Sequence, residues 1–210
     1  MYTLYGSRGS GSASIEMALR VAGLEYRTVQ AATWEPESAL DELRRVNPLQ
    51  QVPTLVLPDG TPLSESAAIL THLGLVTSPG LLLPADESAR ARAIRGLVFI
   101  AANCYAAIGI IDYPERWTTA RDKASHDAIR AGTRERLHRN WEIFADAHEP
   151  EPFLNGAAPG ALDFLAAVVS KWAGTPAHLR EQRPRFSDLL QRIDSHGSVS
   201  AVFREHWPPE

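Results

Sequence analysis

Three short segments carry side chains whose types and spacing could do chemistry. Arg8-Gly9-Ser10-Gly11-Ser12 sets two hydroxyls between an apolar run at residues 3–5 and a helix-period segment that begins at Ala13. A hydroxyl at such a junction can cap the helix, or it can donate to an anion drawn there by the helix's unpaired N–H groups. Glu65-Ser66 lies at a second helix start: the serine and the free N–H groups suit a carboxylate, and Glu65 can accept from an ammonium group. The same pair also serves as a helix cap with an acid in the first turn. Gln51-Val52-Pro53 precedes the apolar run Thr54-Leu55-Val56-Leu57; there Pro53 can simply open a strand and Gln51 can be a surface residue.

The elements that must position these residues follow from periodicity. Residues 13–22 place Ile15, Ala18, Leu19 and Ala22 at helical spacing, and Gly23 is a natural stop. Residues 26–29 read as a strand. Residues 38–46 read as a short helix ended by Asn47-Pro48. Residues 54–57 and 61–63 form a hairpin around Pro58-Asp59-Gly60, and Ser64 caps a helix whose first turn holds Glu65 and Ser66. The order β-α-β-α-β-β-α implies a mixed sheet with helices packed on it. Residues 77–86 read as a linker. Beyond them every segment is helical: a long helix from Asp86 or Ser88 to Pro114, a second over 118–147, an apolar one over 161–173, and two shorter ones after Pro184 and Gly197.

Composition narrows the function classes. The chain has 210 residues, 44% hydrophobic and 22% charged, enough to bury a core without covalent staples. Its net charge is -4 and its pI near 6.0, which speaks against a nucleic-acid surface. Cys104 is the sole cysteine, so neither an intrachain disulfide nor a Cys-x-x-Cys redox pair can form; this disfavours a disulfide oxidoreductase and suits the cytoplasm. No signal peptide is visible, no apolar run reaches about 18 residues, no His, Cys, Asp or Glu group has metal-ligand spacing, and no phosphate-loop pattern occurs. The expectation is therefore a protein without metal, membrane or nucleic-acid partner. His126, His138 and His148 fall on a polar helix and are expected to be solvated.

Taken together, Arg8-Gly9-Ser10-Gly11-Ser12, Asn47-Pro48-Leu49-Gln50-Gln51-Val52-Pro53-Thr54-Leu55, Leu63-Ser64-Glu65-Ser66-Ala67-Ala68-Ile69 and Gly160-Ala161-Leu162-Asp163-Phe164, followed by Ser198-Val199-Ser200-Ala201, resemble the cytosolic glutathione transferase superfamily over almost the whole chain. The resemblance implies a thioredoxin-like α/β domain at residues 1–76, a linker at 77–86 and an all-helical domain at 87–210. It implies a cis bond before Pro53, a glutathione cradle of Gln51, Val52, Pro53, Glu65 and Ser66, and Asp163 as part of a helix-capping box. Glutathione is then the co-substrate, the product of its attack on a small hydrophobic electrophile is the expected outcome, and a homodimer is the expected assembly.

The catalytic position departs from the pattern. Aligned without gaps on the zeta-type transferases, which include maleylacetoacetate isomerase, the usual catalytic serine falls on Gly9 and the cysteine on Gly11, while Ser10 and Ser12 match. Ser10 is the first candidate for the thiol hydrogen bond and Ser12 the second; Ser7 and Tyr5 remain alternatives. Tyr105, Ile108, Tyr113 and Trp117 are candidates to line the electrophile pocket, or else to fill the core. A glutathione-dependent isomerase and a non-catalytic glutathione-binding protein are the competing functions. The family usually has Ser or Thr where Gly160 stands, so a small loss of stability is expected there.

Overall fold

A computed structural model describes all residues except 36, 149–151 and 209–210. The first half runs β1 (Tyr2–Gly6), α1 (Ser12–Val21), β2 (Tyr26–Gln30), α2 (Leu40–Val46), β3 (Thr54–Val56), β4 (Pro62–Leu63) and α3 (Ser66–Val76). The sheet order is β2-β1-β3-β4. β1 and β2 are parallel, as the α1 crossover between them requires, and the other two pairings are antiparallel. α1 buries Ala13, Ile15, Met17, Ala18 and Leu19, and it packs against both β1 and α3.

Register explains why the three chemical segments meet. Tyr5 near the end of β1 lies beside Thr54 at the start of β3, and Leu55 lies beside Leu63 at the end of β4. The exit from β1, the entry to β3 and the exit from β4 therefore share one edge of the sheet.

The second half is α4 (Glu87–Phe99), a π-helical turn (Ile100–Tyr105), α5 (Ala106–Asp112), a 3-10 turn (Pro114–Arg116), α6 (Lys123–Asp146), α7 (Ala161–Val169), α8 (Thr175–Gln182), α9 (Pro184–Ser195) and α10 (Ser200–His206). Every residue of α7 is buried, and α1, α3, α4 and α9 pack around it. The continuous helix Glu87–Asp112 is long and apolar enough to cross a membrane by length and composition. Its Leu97, Ile100, Cys104 and Ile111 are nonetheless built into the core.

Several boundaries differ from the sequence expectation. The long helix expected up to Pro114 contains the π turn Ile100–Tyr105, which apolar spacing does not reveal. The helix expected from 118 starts at Lys123, because the Asp122 side chain accepts from the Ser125 N–H at 2.8 Å. α7 stops at Val169 rather than 173, and Ala173 and Gly174 follow in left-handed conformation. α8 was not anticipated: it buries only Thr175 and Leu179, too few residues to leave an apolar period. The histidines expected in solvent are half-buried. His126 and His138 bond the carbonyls of Ala120 and Ala173, and His148 stacks on Phe144.

Candidate functional site

At the sheet edge, Asn47 builds the loop before β3. Its amide donates to the Gln51 carbonyl at 3.2 Å and to Thr54 Oγ1 at 2.9 Å, and its Oδ1 accepts from the Leu49 N–H. Thr54 Oγ1 donates to the same Gln51 carbonyl at 2.8 Å. Asn47, a helix stop and the first residue of the 47–55 segment in the sequence, is buried. The Val52–Pro53 bond is cis, as the resemblance implied. Among the described residues, neither the N–H nor the C=O of half-buried Val52 has a partner. Paired main-chain groups are the rule in folded proteins, so an open donor and acceptor side by side suits an extended peptide. The Gln51 side chain is exposed next to it.

The start of α3 differs from the expectation in one respect. Ser64 does not cap it. Glu65 holds the N-cap position with φ +66°, and no side chain caps the helix. Glu65 is exposed and Ser66 is buried. The N–H groups of Ser66, Ala67 and Ala68 have no backbone partner among the described residues; the first backbone bond there runs from the Ile69 N–H to the Glu65 carbonyl. By contrast, α4 and α6 begin with an aspartate that caps them, Asp86 and Asp122. The α3 terminus keeps its partial positive charge open at the sheet edge, where an anion would be favoured.

The β1–α1 turn holds the candidate hydroxyls. Ser10 Oγ donates to the Ser7 carbonyl at 2.7 Å and accepts from the N–H groups of Ser7 and Ser12. Ser12 Oγ lies 2.8 Å from Ser10 Oγ and 3.2 Å from the Ser7 carbonyl, packed over the backbone of Gly6. The two residues are 6% and 1% exposed. Ser7 is buried and donates to Glu35 at 2.5 Å. Tyr5 points to α2 and donates to Glu42 at 2.7 Å; burial and this carboxylate push its phenol up to about 12. Gly9 has φ +69°, a conformation that favours glycine.

Two remote contacts reach this turn. The Gly9 N–H donates to His206 Nδ1 at 3.2 Å, and Arg8 donates to the Glu205 carbonyl at 2.8 Å, so α10 clasps it from the far end of the chain. The Tyr105 hydroxyl lies against Gly11, where an added Cβ would be 2.0 Å from the phenol oxygen. Sequence spacing carried no signal for either contact.

Of the other pocket candidates, Ile108 is buried in the core. Tyr113 is half-buried under the Arg116 guanidinium at 4.0 Å, and Trp117 is 62% exposed. None of the four pocket candidates lines either of two cavities: one lies between α7, α8 and α9 around Lys171 and Asp194, and the other, lined by Gln30, Trp34, Glu35, Glu37 and Ser38, adjoins the β1–α1 turn through Glu35. Cys104 is buried, which pushes its thiol up to about 12 and makes it a poor nucleophile. Among the described residues no three His, Cys, Asp or Glu side chains group so as to hold a metal ion.

Comparison with known proteins bears on this arrangement. The family model "Glutathione S-transferase, N-terminal domain" matches residues 1–74. The GST-like protein YncG of Escherichia coli K12 is 38% identical over 180 residues, 85% of this chain and 84% of its own. BphK, a bacterial GST solved as a ternary complex, superposes with a TM-score of 0.79 at 29% identity over 96% of this chain and 98% of its own. A glutathione transferase homologue from Sulfitobacter, solved with bound glutathione, gives a TM-score of 0.81 at 23% identity over 96% of each chain.

Proposed function

The chain belongs to the glutathione S-transferase superfamily, and from that premise we propose that it binds glutathione at the sheet edge and activates its thiol for attack on a small hydrophobic electrophile. The observation that carries this reading is the pairing of open main-chain groups at Val52 with an uncapped α3 terminus beside Glu65 and Ser66. Glutathione supplies the matching groups: an extended peptide backbone, a carboxylate and an ammonium at the γ-glutamyl end. Val52 takes the cysteinyl backbone, Ser66 and the α3 N–H groups take the carboxylate, Glu65 accepts from the ammonium and Gln51 adds a backbone contact. The thiol then lies at the N-terminal end of α1, in the turn of Ser10 and Ser12. A free thiol has a pKa of about 8.5, and lowering it by two units requires about 3 kcal/mol of preferential stabilisation of the thiolate. The helix terminus and a hydroxyl donor together are of that order.

The proposed domain limits are residues 1–76 for the glutathione-binding unit and 87–210 for the helical unit, joined by 77–86. The electrophile enters between them, against Tyr105 and Tyr113. A homodimer is the proposed assembly. One observation favours a second reading, a glutathione-binding protein without turnover: the Ser10 and Ser12 hydroxyls are engaged by the turn itself.

Calorimetric titration with glutathione tests the first step. Micromolar-to-millimolar binding, weakened at least about 10-fold by Glu65→Ala through loss of a charge-assisted contact, is the expected result. Absence of binding by the parent chain would sink the reading. Binding without turnover over a panel of halides, epoxides and activated alkenes would favour the second reading.

A further inference from the structure

Which hydroxyl faces the sulfur is a separate question, and the answer rests on the reading above. The donor protons of Ser10 and Ser12 are directed inward: Ser10 Oγ donates to the Ser7 carbonyl at 2.7 Å, and Ser12 Oγ has that same carbonyl and Ser10 Oγ as its partners. Each serine also packs into the turn and is almost wholly buried. Turning either toward a ligand would break its hydrogen bonds inside the turn.

Tyr105 is differently placed. It closes the π-helical turn Ile100–Tyr105, an irregularity in an otherwise regular helix that re-aims the residues after it. Its ring stacks on Trp172 with centroids 5.6 Å apart and planes at 29°, which fixes its direction. Its oxygen fills the space that a side chain at position 11 would occupy, at the N-cap of α1. Its own proton has no acceptor among the described residues.

We propose that Tyr105, reaching across from the helical half of the chain, is the catalytic hydroxyl that donates to the glutathione sulfur, with Ser10 and Ser12 acting as positioning residues that hold the turn. The thiol proton leaves to solvent, the thiolate accepts the Tyr105 O–H, and no covalent bond of the protein changes. Burial pushes the Tyr105 phenol up to about 12 against the lowering effect of the Gly11 N–H, so it remains a protonated donor at neutral pH. Gly11 is part of the device, because any Cβ there would expel the hydroxyl.

The test uses the full chain and two ligands. Thiolate absorbance of bound glutathione is titrated against pH in the parent, Tyr105→Phe, Gly11→Ala and Ser10→Ala. Binding of S-methylglutathione, which has no titrating thiol, is measured beside it as a gauge of the cradle. Tyr105→Phe keeps the ring and its Trp172 stack. It is expected to raise the thiol pKa by about one to two units and to lower conjugation at neutral pH roughly 10- to 100-fold, while S-methylglutathione binds as before. Gly11→Ala should move the thiol pKa in the same direction. Ser10→Ala should weaken both ligands with little change in the thiol pKa. A Tyr105→Phe protein with the parent's thiol pKa and rate, still binding S-methylglutathione, overturns the assignment and leaves the cradle standing. A parent chain that binds neither ligand removes the functional reading itself, and the role of Tyr105 with it.

Discussion

Glu65 is where backbone conformation and the proposed ligand chemistry meet. At φ +66° a non-glycine residue is strained, at about 1–3 kcal/mol for residues in sparsely populated conformations. Strain of this kind persists when the surroundings over-determine it, here the end of β4 on one side and the α3 terminus on the other. Two substitutions separate the carboxylate from the backbone. Glu65→Ala and Glu65→Gly both remove the proposed acceptor for the ammonium, and both should lose glutathione affinity to the same extent. Glycine relieves the strain and alanine retains it, so Glu65→Gly should be the more stable of the two by about 1 kcal/mol in urea unfolding. Equal stability would mean that the conformation at position 65 carries no strain.

Among the elements, α7 shows how a local departure from a motif is compensated by packing. Asp163 is wholly buried and its carboxylate accepts from the N–H groups of Gly160, Leu154 and Asn155 at 2.8–3.0 Å. Burial raises its pKa to about 6 in spite of those three donors. The sequence suggests that Gly160 merely weakens the cap. The structure gives it a reason: a Cβ at 160 would lie 2.5 Å from the Asn155 side chain and 2.6 Å from the Leu82 carbonyl oxygen, which itself accepts from the Ala161 N–H. Restoring the commoner hydroxyl with Gly160→Ser should therefore destabilise the chain by about 1–3 kcal/mol, as overpacking does, instead of adding the few tenths that a better cap would bring. Chemical denaturation of the two proteins decides between these signs.

At the level of the whole molecule, chain ends nearly two hundred residues apart are joined by a clasp around Glu16. His206 Nε2 and Tyr26 lie 3.0 and 2.9 Å from its carboxylate, Arg20 lies at 2.8 Å, and Arg20 in turn reaches Glu205. Burial alone would raise the Glu16 pKa, but hydrogen bonds from His206, Tyr26 and Arg20 outweigh it and hold the value at about 2, against 4.5 ordinarily. A depressed carboxyl pKa stabilises the fold above the unfolded value, and this contribution is lost as pH falls through the folded one. Glu16→Gln should accordingly be less stable by up to about 3 kcal/mol at pH 7. The gap should close between roughly pH 4.5 and pH 2, the interval bounded by the two pKa values. A gap that stays constant over that interval would show that the clasp is not held by the charge on Glu16. Because the same His206 accepts from the Gly9 N–H, loosening the clasp should also weaken glutathione binding.

The sequence by itself determined the order of the elements in the first half, the helical segments on either side of residues 77–86, and the strand entry and helix start at which residues 51–53 and 65–66 stand. These are written in short-range terms: apolar spacing of two or three to four, a proline before a strand, and an acid and a hydroxyl at a helix start. Only the tertiary structure decided which way each hydroxyl points. Ser10 and Ser12 look alike in sequence, and both turn inward onto the Ser7 carbonyl and each other. Tyr105 and His206 meet the same turn from positions 94 and 197 residues away from Gly11 and Gly9, respectively. Contacts of that separation leave no local period. They exist because α7 gathers α1 and the helices of the second half around one core, and that packing brings a phenol and an imidazole to the start of α1.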